Sequence, residues 1–536
     1  MTTSNDGLSN DLKHSTSKDA EANIDSKHII ANSQDLINAS GHVQELQRNF
    51  SLWSLAGIGL TVGNVWPAVG GSILVALYNG GPPGVLFEFI VVSVFYWNVA
   101  LSIAELASAI PSSAGVYHWA TITGGKYGRP IGFFAGWWNY FAWVFGAASM
   151  SSILASTIVQ MYALNHPDLV VQNWHVFIVY IILTWIACLS VCFFNRAMPL
   201  LNQCGIFFIL AGFFITIVVL AALPGKGGRP PHAPSSFVWT QWSADIGYPD
   251  GFVFVTGMLN GAFSIGVPDV VSHLSEEIPN PGRNIPIAIG LQYAIGFITG
   301  FTYLISIMYA INDYDALFES AYPIAEIYRQ GTGSVAGATG LLSLVMICIA
   351  ICLVGLYITA GRTLWTLARD KATPFPSQLS KVHPKLEVPV LTTLLSGVLV
   401  TILGCIYVGS TTAFNAFVGS FILMSSSSYI AAILPHLLTK RKKIIFGPFN
   451  LNKGPIGYIC NFIACAYMIV WFVIYCFPFA LPVDAATMNY TSLLWGGFTI
   501  LLSGWWFFGV KDYVGPTTIG GQTEADNIRH VTIHSS

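Results

Sequence analysis

Residues 57–71 read GIGLTVGNVWPAVGG, and residues 257–269 read GMLNGAFSIGVPD. Each is an apolar stretch interrupted near its middle by glycine and proline, with Pro67 in the first and Pro268 in the second. Proline cannot donate the helical hydrogen bond and glycine restrains the backbone weakly, so both stretches are predicted to unwind. Unpaired backbone at membrane depth is tolerated only against protein or a water-filled cavity. A matched pair of such breaks indicates the binding site of a secondary transporter.

The composition around these breaks is that of a membrane protein. Of the 536 residues, 54% are hydrophobic and only 9% are charged, whereas soluble domains carry roughly 25% charged residues. About twenty apolar residues cross the hydrocarbon core as a helix. We therefore predict an all-α membrane protein with twelve transmembrane helices. The predicted spans are residues 53–78, 84–109, 131–160, 174–193, 204–222, 252–272, 286–311, 334–361, 389–408, 412–434, 456–478 and 490–510.

The basic residues predict the orientation. If the N-terminus is cytoplasmic, the cytoplasmic tails and loops hold 20 of the 23 lysine and arginine residues, and the outside loops hold only Lys226, Arg229 and Arg329. The positive-inside rule then places both termini in the cytoplasm. We expect a multi-pass protein of the plasma membrane. The net charge of -2 says nothing about partners, and no basic surface suggests a nucleic-acid partner.

The chain divides into one membrane domain and two tails. Residues 1–49 are polar and lack the features of a signal peptide, so they are predicted to be a disordered cytoplasmic tail. Residues 50–511 form the predicted permease domain, and residues 512–536 form a second cytoplasmic tail. The long outside loop 223–250 is predicted to separate two five-helix repeats, spans 1–5 and 6–10.

The first break offers four candidate substrate contacts: Asn64, Val65, Trp66 and Gly70. A half-helix beginning near Gly70 would direct unpaired N–H groups and its dipole at the gap. The Trp66 ring would attract an organic cation by about 0.5–2 kcal/mol. Packing for Trp66 and an interhelical hydrogen bond for Asn64 are the alternative interpretations.

The second break offers Phe263, Ser264, Ile265 and Asp269. Phe263 would form a gate or an aromatic wall, unless it only packs. An ionisable group at membrane depth costs at least about 2.5–3.5 kcal/mol, so Asp269 is a functional candidate. Three roles are open for Asp269: pairing with a substrate ammonium, relaying a coupling proton, or holding the break through backbone N–H groups.

Helices 2 and 3 supply further polar groups. Glu88 lies near the outer end of helix 2, and Glu105 near its inner end favours a gate or a contact that tethers a loop. In helix 3, Asn139, Tyr140 and Trp143 share one face at helical spacing, so an aromatic from this face could complete a cation cage. Location at the membrane interface is the alternative for the tryptophans.

The remaining motifs argue against enzyme chemistry. No nucleotide-binding or nucleophile–base pattern is found, and the nine cysteines, all within apolar spans, have no zinc or disulfide spacing. We therefore predict that the protein is not an enzyme and has no metal and no cofactor. Asn489 begins an Asn-Tyr-Thr sequon on a predicted outside loop and is a glycosylation candidate.

Four motifs in order carry a family resemblance. They are LYNGGP at 77–82, IAELASAIPSSAGVY at 103–117, EEIPNPGRNIP at 276–286 and GRTLWTLARD at 361–370. Together with the broken first helix, they resemble amino acid–polyamine–organocation permeases over nearly all of residues 45–512. FSLWS at 50–54, MYALNHP at 161–167 and the pair Trp174-His175 are similar to the fungal choline and γ-aminobutyrate branch, and to choline transport proteins in particular.

The resemblance implies a five-plus-five inverted repeat with substrate between broken helices 1 and 6. By position it implies an aromatic gate at Phe263 and a carboxylate at Asp269. The helix-5 lysine of some bacterial members is missing here, while proton symport is usual for fungal members.

We therefore expect a secondary transporter that imports a small organic cation or amine, choline first, with a coupling proton. An amino acid, γ-aminobutyrate, polyamine or thiamine permease and a nutrient-sensing receptor are the alternatives.

Overall fold

The computed structural model describes residues 51–320, 322–409, 412–452, 454–510, 513, 515 and 516. The predicted tail 1–49 lies outside the described residues. So does the predicted tail 512–536, apart from Tyr513, Gly515 and Pro516. Tyr513 is buried, and its backbone carbonyl accepts a hydrogen bond from Arg129 Nε at 2.6 Å.

Within the described ranges the regular elements are all helices, which confirms the all-α prediction. The first ten helices are α1 Leu52–Gly63, α2 Val65–Gly71, α3 Leu74–Leu77, α4 Gly81–Ala109, α5 Val116–Thr123, α6 Gly128–Asn165, α7 Asn173–Phe193, α8 Met198–Ala222, α9 Ser235–Trp239 and α10 Asp250–Ile265. The others are α11 Pro281–Tyr309, α12 Asp315–Glu319, α13 Pro323–Thr332, α14 Val335–Arg369, α15 Pro376–Leu379, α16 Val390–Gly409, α17 Thr412–Leu438, α18 Ile456–Ile474 and α19 Thr491–Phe508. Three 3₁₀ segments cover Gly125–Tyr127, Asn195–Ala197 and Val270–Glu277.

Nine helical segments of the described chain are long and apolar enough to cross a membrane. They correspond to the predicted spans 2–8, 10 and 11. The other three predicted spans coincide with the broken pair α1–α2, with α16 and with α19. The length and composition of the helices therefore agree with a protein that passes through a membrane many times.

The first break is confirmed but lies earlier than expected. Helix α1 ends at Gly63, Asn64 adopts φ 15° and ψ 46°, and α2 starts at Val65. The second half-helix was expected to begin near Gly70, and that prediction was wrong. Proline is tolerated in the first turn of a helix, where a backbone N–H would have no partner within the helix, so the helix resumes before Pro67.

The second break lies where it was predicted. Helix α10 ends at Ile265, and the 3₁₀ segment Val270–Glu277 begins after Pro268. The side chains of Gln292 and Tyr293 on α11 bind the exposed carbonyls: Tyr293 Oη donates to Ile265 O at 2.8 Å, and Gln292 Nε2 donates to Val267 O at 3.0 Å. These bonds supply partners that buried backbone groups require.

Gln292 also joins the two breaks. Its side chain lies against Gly59 and Gly63 of α1, where a Cβ on Gly63 would come within 2.8 Å of Gln292 Nε2. Both glycines are therefore needed for the close approach of α1 and α11. The Gln292 side chain thus contacts both breaks and links them.

One end of the bundle is closed by buried ion pairs. We call this end, where α4, α14 and α17 terminate, the basic face, and the opposite end, where α6, α8 and α11 terminate, the distal face. At the basic face, Arg362 makes a bidentate contact with Glu277 at 2.6 and 2.9 Å. Arg369 pairs with Glu276 at 3.2 Å. These pairs connect the 3₁₀ segment of the second break to α14.

The Arg362–Glu277 pair generates a test of stability. Both side chains are almost fully buried. Replacing one partner of such a pair typically lowers the free energy of unfolding by about 3–5 kcal/mol, whereas replacing both by apolar residues is close to neutral. We expect Arg362→Met to lower the unfolding temperature of the detergent-purified protein strongly, and Arg362→Met with Glu277→Leu to recover most of the loss.

Arg329→Met is the matched control, because Arg329 is about half exposed and pairs with Glu326 on the surface. It should change stability by less than about 1 kcal/mol. An equal loss in the single and the double variant would contradict the prediction.

Candidate functional site

A small closed cavity lies between the two breaks. Its volume is about 20 Å³, which is room for about one water molecule. Its walls come from α1, α2, α6, α10, α14 and α17 and from the second break. The lining residues are Val62, Gly63, Ala68, Gly146, Met150, Phe263, Ser264, Val267, Leu356 and Phe421.

The wall of this central cavity is apolar and partly aromatic, and all ten lining residues are uncharged. The rings of Phe263 and Phe421 meet edge to face with centroids 5.7 Å apart. Gly146 leaves space for the second ring, because a Cβ there would lie 3.1 Å from Phe421. Such a wall suits an apolar or cationic group that needs few hydrogen bonds.

The structure brings the candidates of the second break to the cavity. Phe263 and Ser264 line it, and the Ser264 hydroxyl donates to Gly261 O at 3.0 Å. Ile265 is adjacent and contributes its carbonyl to the bond with Tyr293.

The candidates of the first break mostly face elsewhere. Trp66 is fully buried, donates from its indole nitrogen to Ile209 O at 3.1 Å, and packs on Tyr303. Val65 packs against the glycines of α11, and Gly70 lies against the Tyr303 hydroxyl. Asn64 is buried, and its side-chain nitrogen and oxygen have no hydrogen-bond partner among the described residues. The structure therefore does not place any of these four residues in the cavity wall.

Asp269 lies at the centre of a buried polar cluster rather than on the cavity wall. Tyr429 Oη on α17 donates to Asp269 Oδ1 at 2.5 Å. Asn139 Nδ2 on α6 donates to Oδ2 at 2.7 Å, and His273 Nε2 lies 3.2 Å from the same oxygen. All four side chains are buried. The cluster joins α6 and α17 to the second break.

His273 lies between Asp269 and two oxygen atoms on the other side of its ring. His273 Nδ1 lies 3.3 Å from Ser113 O and 3.3 Å from Thr363 Oγ1. The Thr363 hydroxyl also lies 2.8 Å from Thr359 O, to which it can donate. The hydrogen of the neutral ring can lie on Nε2, facing Asp269, or on Nδ1, facing Ser113 O. Asp269 and His273 are therefore placed so that they can share one proton.

Trp143 connects this pair to the cavity. Its indole nitrogen donates to Asn139 Oδ1 at 3.2 Å, and Asn139 in turn binds Asp269. Its ring lies edge to face with Phe421 of the cavity wall at 6.4 Å and with His273 at 5.9 Å. Trp143 therefore contacts both the cavity wall and the groups around Asp269.

Sequence reasoning missed His273, Phe421, Tyr429 and Gln292. His273 follows Asp269 by four residues, which is the one local signal that could have indicated the pair. The other three lie on α11 and α17, far away in sequence, and only packing brings them to the breaks.

Two candidates have other surroundings. Tyr140 Oη lies 3.1 Å from Ser396 Oγ, and the ring lines a separate apolar cavity between α6, α16 and α19. Glu105 accepts hydrogen bonds from Arg441 Nη2 at 2.5 Å and Leu451 N at 2.6 Å. Glu105 thus lies at the basic face, where it holds the segment between α17 and α18.

Asn489 is buried, and its Nδ2 atom donates to Tyr475 O at 2.6 Å and to Phe477 O at 3.0 Å. The nitrogen that would carry a glycan is thus engaged in the folded chain.

A second, larger cavity opens toward the distal face. Its volume is about 320 Å³, and we call it the distal vestibule. It is lined by residues before α4, on α10 and α17, and around the connection from α18 to α19. They include Leu74, Asn79, Thr256, Leu259, Asn415, Tyr475 and Phe477. At the basic face, by contrast, Arg362, Arg369 and Arg441 form buried ion pairs that hold the helices together.

Comparison with known proteins agrees with this architecture. Residues 50–498 match the model of the amino acid permease family. A choline transporter of Saccharomyces cerevisiae is 32% identical over 91% of this chain and 85% of its own length. An uncharacterized amino-acid permease of Schizosaccharomyces pombe is 27% identical over 91% of this chain and 87% of its own. A 7-keto 8-aminopelargonic acid transporter of Saccharomyces cerevisiae is 24% identical over 84% and 90%.

The family match runs from before α1 into α19 and includes both breaks. The named relatives are transporters and permeases rather than enzymes. The chain therefore belongs to the amino acid permease family and is a membrane transporter.

Proposed function

We propose that this transporter imports a small organic cation, choline first, together with a proton. The observation that carries the proposal is the arrangement of two breaks around an aromatic cavity, with the buried Asp269–His273 pair one layer behind its wall. Two broken helices that enclose a site are typical of alternating access between the two sides of a membrane.

The proposed topology has twelve spans, with the pair α1–α2 as the first and α19 as the last. The ten helices of spans 1–10 form a five-plus-five inverted repeat, with the breaks in spans 1 and 6. The basic face is cytoplasmic, because the other orientation would put 20 of the 23 lysine and arginine residues outside. Residues 1–49 and 512–536 are then cytoplasmic tails, and the protein lies in the plasma membrane.

The chemistry of the cavity supports a quaternary ammonium. Such a group cannot donate hydrogen bonds and is bound through π faces and nearby negative charge. Phe263 and Phe421 supply the faces, and the Asp269 cluster supplies a polar group behind them. The similarity to a choline transporter over most of the chain supports the same substrate class.

The proton has a place in the Asp269–His273 pair. Asp269 is bound by Tyr429 and Asn139, so it is not free to pair directly with a substrate ammonium in this arrangement. Of the three roles open for Asp269, the proton relay therefore has the best support. Trp143 links the occupancy of the cavity to the groups that hold the proton.

An amino acid, γ-aminobutyrate, polyamine or thiamine could also occupy the opened cavity, since its wall lacks a group specific for choline. A nutrient-sensing receptor with little transport is the other alternative.

Uptake of radiolabelled choline by cells that overexpress the chain tests the proposal. We expect saturable uptake that decreases as the external pH is raised from 5 to 8. Unlabelled choline should inhibit this uptake more strongly than the other amines and amino acids do. Choline binding to the purified protein without pH-dependent uptake would favour the receptor. Inhibition only by an amino acid would show that the amino acid, and not choline, is the substrate.

Substitution of the buried pair tests the proton site. Asp269→Asn should reduce choline uptake about tenfold or more at unchanged surface expression, because it removes the charge that Tyr429 and His273 contact. His273→Gln keeps a donor to Asp269 but cannot titrate, so its remaining uptake should no longer depend on external pH. His166→Gln, at an exposed distal position, is the control and should behave as the wild type. A normal pH profile in His273→Gln would exclude the pair as the proton site.

Substitution of the aromatic wall tests the cation site. Phe421→Leu removes a π face worth about 0.5–2 kcal/mol, which should raise the KM for choline roughly 2- to 30-fold. Phe417→Leu, one turn away on α17 and packed on Phe145 outside the cavity, is the matched control and should leave KM nearly unchanged. Equal effects of the two substitutions would indicate a general loss of packing.

A further inference from the structure

Glu88 is a buried acid that the proposed mechanism does not use. It lies in the distal half of α4 and is 2% exposed. Neither of its carboxyl oxygens has a hydrogen-bond partner among the described residues. The described arginine, lysine and histidine side chains that form ion pairs do so with other acids.

The carboxyl group of Glu88 lies directly on the backbone of α10. A Cβ added at Gly257 would be 2.2 Å from Oε1 and 2.3 Å from Oε2 of Glu88. Gly257 is thus the residue that allows α10 to approach α4 while the carboxyl group lies between them. Helix α10 leads into the second break, so this contact is mechanically connected to the central cavity.

Among the described residues, no ion pair or hydrogen bond compensates a charge on Glu88. After α18, the Tyr475 hydroxyl lies 3.3 Å from Tyr467 Oη. Asp250, the acid of α10, lies at the distal end of that helix and accepts a hydrogen bond from Trp242. Helix α11 faces α4 with Phe297, which stacks on Phe89.

The other elements packed against α4 likewise place uncharged groups near Glu88. Helix α9 packs Trp239 on Phe87, and α3 consists of Leu, Val and Ala. Helix α17 contributes His436, which faces Glu105 at the basic face instead. Burial of an ionised carboxylate without a partner is strongly unfavourable, whereas the protonated acid is a neutral group. In this packing arrangement an ionised Glu88 would meet that penalty, and a protonated Glu88 would not.

The contact between Glu88 and Gly257 lies next to the distal vestibule. Thr256, the neighbour of Gly257, and Tyr475 both line the vestibule. Asn79 Nδ2 donates to Thr256 Oγ1 at 2.9 Å, so a polar group lies on the vestibule side of the contact. Separation of α10 from α4 would therefore admit water from the vestibule to the carboxyl group.

We propose that Glu88 is a second proton-binding site, filled from the distal vestibule, and that the bound proton holds α10 against α4. Since only the neutral acid fits between the two helices, closure of α10 takes up one proton and opening releases it. The inference deepens the proposed proton coupling, and it concerns a site separate from Asp269 and His273.

Hydrogen–deuterium exchange of the full chain in lipid nanodiscs tests this proposal without any substrate. After correction for the intrinsic effect of pH on exchange, residues 250–265 of the wild type should exchange about tenfold or more faster at pH 9 than at pH 5, because a tenfold change corresponds to about 1.4 kcal/mol of lost contact. Glu88→Gln mimics the neutral acid and should keep slow exchange at both pH values. The same pH dependence in wild type and Glu88→Gln, or none in the wild type, would overturn the proposal.

Two further variants complete the experiment. Gly257→Ala displaces the carboxyl group by its Cβ and should give fast exchange of α10 at both pH values, although alanine is the better helix former. Slow exchange in Gly257→Ala would also overturn the proposal. Glu319→Gln, at an exposed glutamate of α12, is the matched control and should follow the wild type. Failure of choline uptake would leave these results unaffected, so the two proposals can fail separately.

Discussion

The backbone groups exposed at the second break need partners inside an apolar bundle, and the rest of the site depends on how they obtain them. Gln292 and Tyr293 on α11 bind the carbonyls of Val267 and Ile265. Because Gln292 also lies against the glycines of α1, the same side chain holds the two breaks together. The central cavity is the space left between them, and its aromatic wall forms where α10 and α17 meet.

The described arrangement is closed at the basic face and at the centre. Buried ion pairs join the 3₁₀ segment after the second break to α14, and Glu105 holds the segment after α17. The central cavity has room for about one water molecule, so a substrate enters only if helices around it move. Distal to it lies the vestibule, with α10 as one of its walls. Movement of α10 would therefore change the vestibule, the contact at Glu88 and the second break together.

Sequence reasoning located the elements well and the side-chain directions poorly. Pro268 marks the second break as predicted, because proline lacks the N–H that a continuous helix would use there and Gly266 restrains the backbone weakly. Pro67 misled the placement of the first break by several residues, since proline is also compatible with the start of a helix. Trp66 is a residue type that often binds cations, but here its indole nitrogen donates to Ile209 O and its ring lies outside the cavity wall. The direction of a side chain around a helix depends on which neighbour packs there, and one sequence does not contain that information.

The sequence by itself determined the membrane class, the presence of two breaks and the family, because apolar length, proline and glycine act locally along the chain. Only the tertiary structure decided which groups meet at the breaks. Phe421, Tyr429 and Gln292 come from other helices. His273 is held beside Asp269 by the oxygens of Ser113 and Thr363 near its other nitrogen. Glu88 is an ordinary glutamate in the sequence, and it becomes a proton site only because Gly257 of another helix lies against it. Proton binding depends on burial and on the absence of a partner, which are properties of packing.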